Sequence, residues 1–316
     1  VTYIPRAITA GAEVRPRCMA AQVTHDDSGR ATGVLYFRGD DVSTLHRQRA
    51  KHVAVCGYAI ETPRLLLNSG SSLFPHGMAN SSGMVGKCFI VHSGHQVFAR
   101  FDERIGQYKA PPGLALTEHF NRTMPDASFV CGYTIEAVGP HPSDFASRVT
   151  TARGFWGTEL RRLMMDYNHW SGIGIVGEVM PQPSNEVRLH PVERDQYGLP
   201  IPHVVFTYHE NDRRLIAHAI ERMTAIMEGA GGVDAWSADR TAHLLGTCRM
   251  GVDSGSSVVD GDCRAHDVPN LYICDGSVFP TATGVNPSLT IEAVAARTAD
   301  RIGRSGGEGL WPSMYS

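Results

Sequence analysis

The sequence predicts an α/β (α+β) fold with two sheet-bearing portions, and three observations predict it. The apolar run Lys51-His52-Val53-Ala54-Val55-Cys56-Gly57 stops at a glycine and leads into the helical stretch Arg64-Leu65-Leu66-Leu67. That is a strand, a tight turn and a helix, the unit whose turns bind cofactors at the carboxyl edge of open sheets. Near the other end, the strand-like Leu271-Tyr272-Ile273-Cys274 runs into Asp275-Gly276-Ser277, where a glycine lets backbone approach a ligand. Between residues 89 and 236 glycine and proline are frequent, and short β-like runs such as Phe129 to Ile135 alternate with loops, as in an antiparallel sheet. The expected division is 1–88, 89–236 and 237–316, the outer segments forming one domain and the middle a substrate-side domain.

In chain order, Val1-Thr2-Tyr3-Ile4-Pro5 is polar and helix-poor. Strands are expected at Glu13 to Arg15, Ala20 to Thr24 and Ala31 to Phe37, with Asp26-Asp27-Ser28-Gly29 as a hairpin turn. Thr62 and Pro63 read as the N-cap and first residue of the helix that follows. A helix is predicted over 211–227, where Leu215, Ile216, Ala219, Ile220, Met223 and Ile226 recur at helical spacing. Asn286 and Pro287 read as the N-cap and first residue of a closing helix with Leu289, Ala293, Val294, Ala296 and Ile302 on its apolar face, before a Gly-rich tail. Gly172-Ile173-Gly174-Ile175-Val176-Gly177 has the letters of a dinucleotide loop, but Asp166 to Trp170 is no buried strand and Pro181 falls where the helix should run. It is read as a glycine-containing strand.

A chain of 316 residues, 42% hydrophobic and 19% charged, can bury a large core. The net charge of -3 leaves no basic excess for phosphates, so nucleic acid is excluded as an expected partner. No apolar run reaches the roughly 18 to 20 residues of a membrane span. The seven cysteines are scattered and never at two-residue spacing, and the histidines form no ligand spacing, so no metal is expected. No Gly-x-Ser-x-Gly elbow supports serine hydrolysis.

The chemistry is concentrated in His243-Leu244-Leu245-Gly246-Thr247-Cys248-Arg249-Met250-Gly251 and in Asn270 to Ser277 with Gly284-Val285-Asn286-Pro287-Ser288-Leu289-Thr290. These stretches resemble the closing signature of the glucose-methanol-choline (GMC) family of flavin oxidoreductases. Ala59 to Ser69 and Asn80 to Lys87 resemble two further family segments, with Tyr58 standing where a small residue is usual. The resemblance implies FAD as cofactor and oxidation of an alcohol or sugar hydroxyl by hydride transfer. It makes His243 the general base, a role suited to imidazole, and Asn286 the second active-site residue. It further implies FAD contacts from Ala20, Cys56, Gly57, Asp275, Gly276, Asn286, Pro287 and Ser288. Family members carry their dinucleotide fingerprint ahead of the segments matched here, so this chain is expected to be the later part of a longer protein, or to be completed by another chain. The alternatives are a flavin-retaining hydroxynitrile lyase and an inactive fragment that binds a partner. Compartment is not readable from this sequence.

Overall fold

A computed structural model of the chain describes residues 2–109 and 113–305. The first elements are α1 (Tyr3–Thr9), β1 (Cys18–His25), β2 (Ala31–Arg38), β3 (Asp41–Arg49), β4 (Val53–Val55) and α2 (Tyr58–Asn68). Then come β5 (Ile90–Ser93), β6 (Gln96–Arg100), β7 (Leu116–Thr117), β8 (Tyr133–Val138), α3 (Pro142–Arg153), α4 (Gly157–Met165) and β9 (Trp170–Gly177). The chain continues through β10 (Glu186–Arg194), β11 (Pro200–Val205), α5 (Glu210–Gly229), β12 (Val233–Ala238), β13 (Thr241–Leu245), β14 (Leu271–Ile273) and α6 (Ser288–Ser305).

Two compact units result: Val1–Gly86, Val187–Val204 and Cys248–Val278 form the first; Lys87–Glu186, Val205–Thr247 and the chain from Phe279 form the second. This division interleaves more than 1–88, 89–236 and 237–316. Residues 187–204 join the first unit, where Tyr197 stacks on Phe37 and Asp195 pairs with Arg64 at 2.6 Å. Residues 241–245 join the second because β13 pairs with β5.

In the first unit, β1, β2 and β3 form an antiparallel meander, and β4 lies parallel to β14 with Val53, Ala54 and Val55 opposite Leu271, Tyr272 and Ile273. The expected hairpin turn forms: Asp26 accepts from the N–H groups of Ser28 and Arg30 and from the Ser28 hydroxyl. Asn270 is buried and joins two strand starts, accepting from Ala31 N at 2.9 Å and donating to the carbonyls of Ala31 and Lys51. Three expectations need correction here. Tyr3–Thr9 is a short helix, with no buried residue. Glu13 to Arg15 is exposed and outside any strand, its charges spent on an Arg15–Glu13 ion pair. Finally, α2 begins at Tyr58 with Gly57 as its N-cap, so Thr62 and Pro63 lie inside the helix.

The second unit is built on a seven-stranded sheet in the order β12-β6-β9-β5-β13, with β8 joining β9 to β7. Its pairings are antiparallel, as expected for this portion. Gly172 to Gly177 lies in β9, where a Cβ on Gly172 would come within 2.4 Å of the Phe98 ring. Close packing thus explains its glycines. One core joins Val97, Tyr133, Ile135 and Ile175 to Leu215, Ala219 and Met223 of α5; the other gathers Phe98, Phe145, Tyr167 and Trp170. Helix α5 opens on a capping box in which the His209 side chain accepts from Asn211 N and Asp212 accepts from His209 N. Helix α6 starts one residue later than expected: the Pro287 carbonyl accepts from Ile291 N, which makes Pro287 the cap and puts Asn286 outside the helix. Its apolar face is open, with Leu289 80% exposed. The Gly-rich tail lies largely outside the described residues.

Candidate active site

His243 sits on an irregularity of the sheet. Along the β13–β5 ladder, Ala242 opposes His92 and Leu245 opposes Ile90, so His243 and Leu244 together face the single residue Val91. The extra residue is a β-bulge, a device that re-aims a side chain. His243 adopts φ 49°, in the left-handed region that few residues other than glycine occupy. Three residues on, Gly246 closes the turn with φ 74°, and a Cβ there would meet the Cys88 carbonyl oxygen at 2.1 Å. The run from His243 to Gly246 therefore fixes the imidazole through backbone shape.

The re-aimed ring has three notable neighbours. His92, fully buried on β5, brings its Nδ1 to 3.1 Å from His243 Nδ1, with the ring planes at 79°. Glu136 on β8 and Arg240 act on it through charge. Half-burial lowers the His243 pKa from its ordinary value; Glu136 opposes that shift and Arg240 adds to it. The ring is accordingly neutral at pH 7. Asn286, exposed just before α6, donates to the same Glu136 carboxylate at 3.4 Å. The segment preceding Asn286 is held to the sheet as well, since Thr134 donates to the Gly284 carbonyl at 2.6 Å and His92 Nε2 bonds the Thr283 carbonyl. The imidazole and the amide thus share one carboxylate neighbour.

In the first unit the carboxyl ends of β4 and β14 lie side by side. Asp275 is buried and ties the two strand ends together, accepting from Tyr58 N at 2.9 Å, the Thr62 hydroxyl at 2.6 Å and Ser277 N at 2.8 Å. Cys56 and Cys274 meet there, and the bond to Cys274 draws the Cys56 thiol below its ordinary pKa against the pull of burial and Asp275. Ala20, Cys56 and Gly57 share a cleft of about 450 Å³ that Val34, Val55 and Arg64 also line. Gly276 is buried in the turn after β14. Tyr58 adopts φ 58°, so the turn that usually carries a small residue is strained here by a Cβ.

Comparison with known proteins bears on both ends of the chain. Two family models, each described as GMC oxidoreductase, match residues 1–93 and 181–295. The 2-methyl-1,2-propanediol dehydrogenase of Mycolicibacterium austroafricanum is 34% identical over 96% of this chain. The chain belongs to the GMC oxidoreductase family. Fructose dehydrogenase large subunit of Gluconobacter japonicus is 29% identical over 94% of the chain, and paromamine 6'-oxidase of Streptomyces fradiae 29% over 82%. The chain spans about half the length of these GMC relatives, covering 56%, 55% and 46% of them. Among solved structures, Aspergillus oryzae formate oxidase superposes with a TM-score of 0.68 at 15% identity, over 92% of this chain and 60% of that one. Pyridoxine 4-oxidase from Mesorbium loti gives 0.63 at 14%, over 91% and 57%. These likenesses show a common GMC fold.

Sequence reasoning missed two members of this GMC cluster, His92 and Glu136. Each left a signal: a lone polar residue in an otherwise apolar or β-rich run, Phe89-Ile90-Val91-His92 and Tyr133-Thr134-Ile135-Glu136-Ala137-Val138. A buried strand tolerates such a residue only where it finds a partner.

Proposed function

We propose that the chain contributes to an FAD-dependent enzyme that oxidises a hydroxyl group of an alcohol or sugar, with His243 as general base and Asn286 holding the substrate oxygen. The observation that carries this reading is a half-buried imidazole, kept neutral at pH 7, sharing its carboxylate neighbour with an exposed amide. A neutral imidazole takes the hydroxyl proton as the carbon gives up hydride. Asn286 gives one amide hydrogen to Glu136 and has a second for the oxygen on which negative charge develops. Once His243 is protonated, the Glu136 carboxylate stabilises the imidazolium. The names of the relatives, a propanediol dehydrogenase, a fructose dehydrogenase and a paromamine oxidase, support a hydroxyl-bearing substrate.

FAD, when bound, supplies the hydride acceptor. Ala20, Cys56, Gly57, Asp275, Gly276, Asn286, Pro287 and Ser288 are the residues proposed to hold it. The residues fit such a group. The cleft takes in Ala20, Cys56 and Gly57, and the buried Ser277 hydroxyl beside Gly276 has no hydrogen-bond partner among the described residues. Formate oxidase, a fold relative, is described by its FAD modification. Asp275 takes three protein donors, two on Oδ2 and one on Oδ1, so it holds the turn and keeps acceptor capacity on Oδ1 for the cofactor.

Among the described residues β4 pairs with β14 alone, and a two-stranded parallel sheet is marginal by itself. We propose that a further strand, from a longer form of the protein or from another chain, pairs with the second edge of β4. The decisive measurement for the catalytic reading is stopped-flow reduction of the flavin in the complete enzyme. His243→Ala is expected to slow it by about 10²- to 10⁴-fold; a variant that reduces its flavin at the native rate ends the assignment.

A further inference from the structure

The His92 ring bridges two groups, and their chemistry dictates where its proton lies. Its Nε2 is bonded to the Thr283 carbonyl, which can only accept, so Nε2 carries the hydrogen. Burial drives the His92 pKa down to about 4, with the Thr283 bond opposing and His243 adding to the shift, so the ring is neutral at pH 7. A neutral ring protonated at Nε2 has a lone pair at Nδ1. That lone pair faces His243 Nδ1 at 3.1 Å, and a hydrogen bond between two ring nitrogens needs one proton. The proton must therefore reside on His243.

We propose that His92 is a positioning residue that locks His243 in the Nδ1–H tautomer, leaving its Nε2 as the bare nitrogen that receives the substrate proton. The inference rests on the reading of His243 as base and adds which atom acts and what sets it. The order resembles the general logic in which a second group holds a catalytic imidazole in one tautomer. Here the holder is a neutral imidazole anchored to a main-chain carbonyl. The bulge sets the direction in which the His243 side chain leaves the strand, and the fully buried His92 ring is held at Nε2 by the Thr283 carbonyl. When His243 takes up the proton, the bond to His92 becomes charge-assisted and strengthens, Glu136 favours the cation and Arg240 opposes it.

The tautomer can be read directly. In the FAD-loaded complete enzyme labelled with ¹⁵N-histidine, long-range proton–nitrogen correlation at pH 7 is expected to show His243 protonated at Nδ1 and bare at Nε2, and His92 the reverse. A His243 bare at Nδ1 overturns the proposal without any variant. His92→Leu removes the acceptor; His92→Asn keeps an oxygen near the former Nδ1. The leucine variant is expected to slow flavin reduction by about 10- to 100-fold, in the range of outer-shell orienting partners, with KM moved by less than about twofold. It should also give His243 a mixture of tautomers, and the asparagine variant should recover most of the rate. A leucine variant as fast as the native enzyme, or an asparagine variant as slow as leucine, overturns it. His243→Ala separates the two ideas: if that change too leaves reduction intact, the base assignment has failed, whereas its collapse beside a fast leucine variant defeats only the role of His92.

Discussion

The carboxylates of the two units are shifted in opposite directions. In the first, Asp26, Asp41 and Asp253 sit at the surface and are held below the usual carboxylate range by hydrogen bonds, chiefly from the Ser28 hydroxyl, the Ser43 hydroxyl and Gly255 N respectively. Their charges build turns in contact with water. In the second, burial pushes Asp212 and Glu178 up and His92, His95, His218 and His243 down. Every one of those shifts favours the neutral form. The comparison teaches why the second unit suits the proposed base: a residue that must accept a proton at neutral pH has to arrive there uncharged, and desolvation is what arranges that.

Four experiments break or sharpen this contrast. The largest expected effect is on rate alone: Asn286→Ala should slow flavin reduction by about 10²- to 10³-fold, as for a lost oxyanion donor. Its thermal midpoint should hold, because the residue is exposed; a drop in midpoint without a drop in rate would place Asn286 with the scaffold. Next comes a change in stability alone. Asn270→Leu leaves Ala31 N and the carbonyls of Ala31 and Lys51 without their partner, which costs about 3 to 5 kcal/mol in denaturant titration. A loss under about 1 kcal/mol would mean these groups find other partners.

Acid titration follows. Above pH 6.5, the ordinary histidine value, His92 is neutral whether folded or not, and nothing is lost. As the pH falls toward 4, the unfolded chain binds a proton that the folded ring refuses, so stability declines across that window and levels off below it. His92 alone is worth on the order of 3 kcal/mol over this range. Asp212 and Glu178, with raised pKa values, bind protons more readily when folded and offset part of the decline. Residue-level hydrogen exchange at pH 7 and pH 4.5 should therefore show protection lost in β5 and β13 before the meander; the reverse order would contradict the contrast. The smallest effect is a gain. Tyr58→Gly relieves a left-handed backbone at a half-exposed side chain and should stabilise by about 1 kcal/mol. A destabilised variant would show that the Tyr58 ring packs more than its exposure suggests.

Much of the fold was legible where local pattern and tertiary demand agree. The 211–227 periodicity emerged as Glu210–Gly229, the turn at Asp26 as a hairpin, and the doubtful glycine motif as a strand. The strand β3 was not legible, because Asp41 to Arg49 is nearly all exposed and carries no alternating apolar face. Nor were the helix starts. Thr62 has the chemistry of a cap, but its hydroxyl serves Asp275, far along the chain, and Pro63 rides inside the helix. The candidate site was legible in part: a motif could single out His243 and Asn286, whereas His92 and Glu136 left only a lone polar residue in a β-rich run, and what brings them beside His243 is strand pairing.

The clamp between Ala31 and Asn270 joins residues 239 positions apart. Contacts so distant along the chain form late, since a long loop must close before they reward it. During synthesis the meander and β4 precede β14, and Val53 and Val55 lack their parallel partner until β14 arrives. The last strand of the β5 to β13 sheet ends at Leu245, ahead of β14 at Leu271. The β4 strand therefore stays unpaired on its β14 side longer than any strand of the second sheet stays without its partners, and a hydrophobic segment left open in this way is a target for chaperones that bind nascent chains.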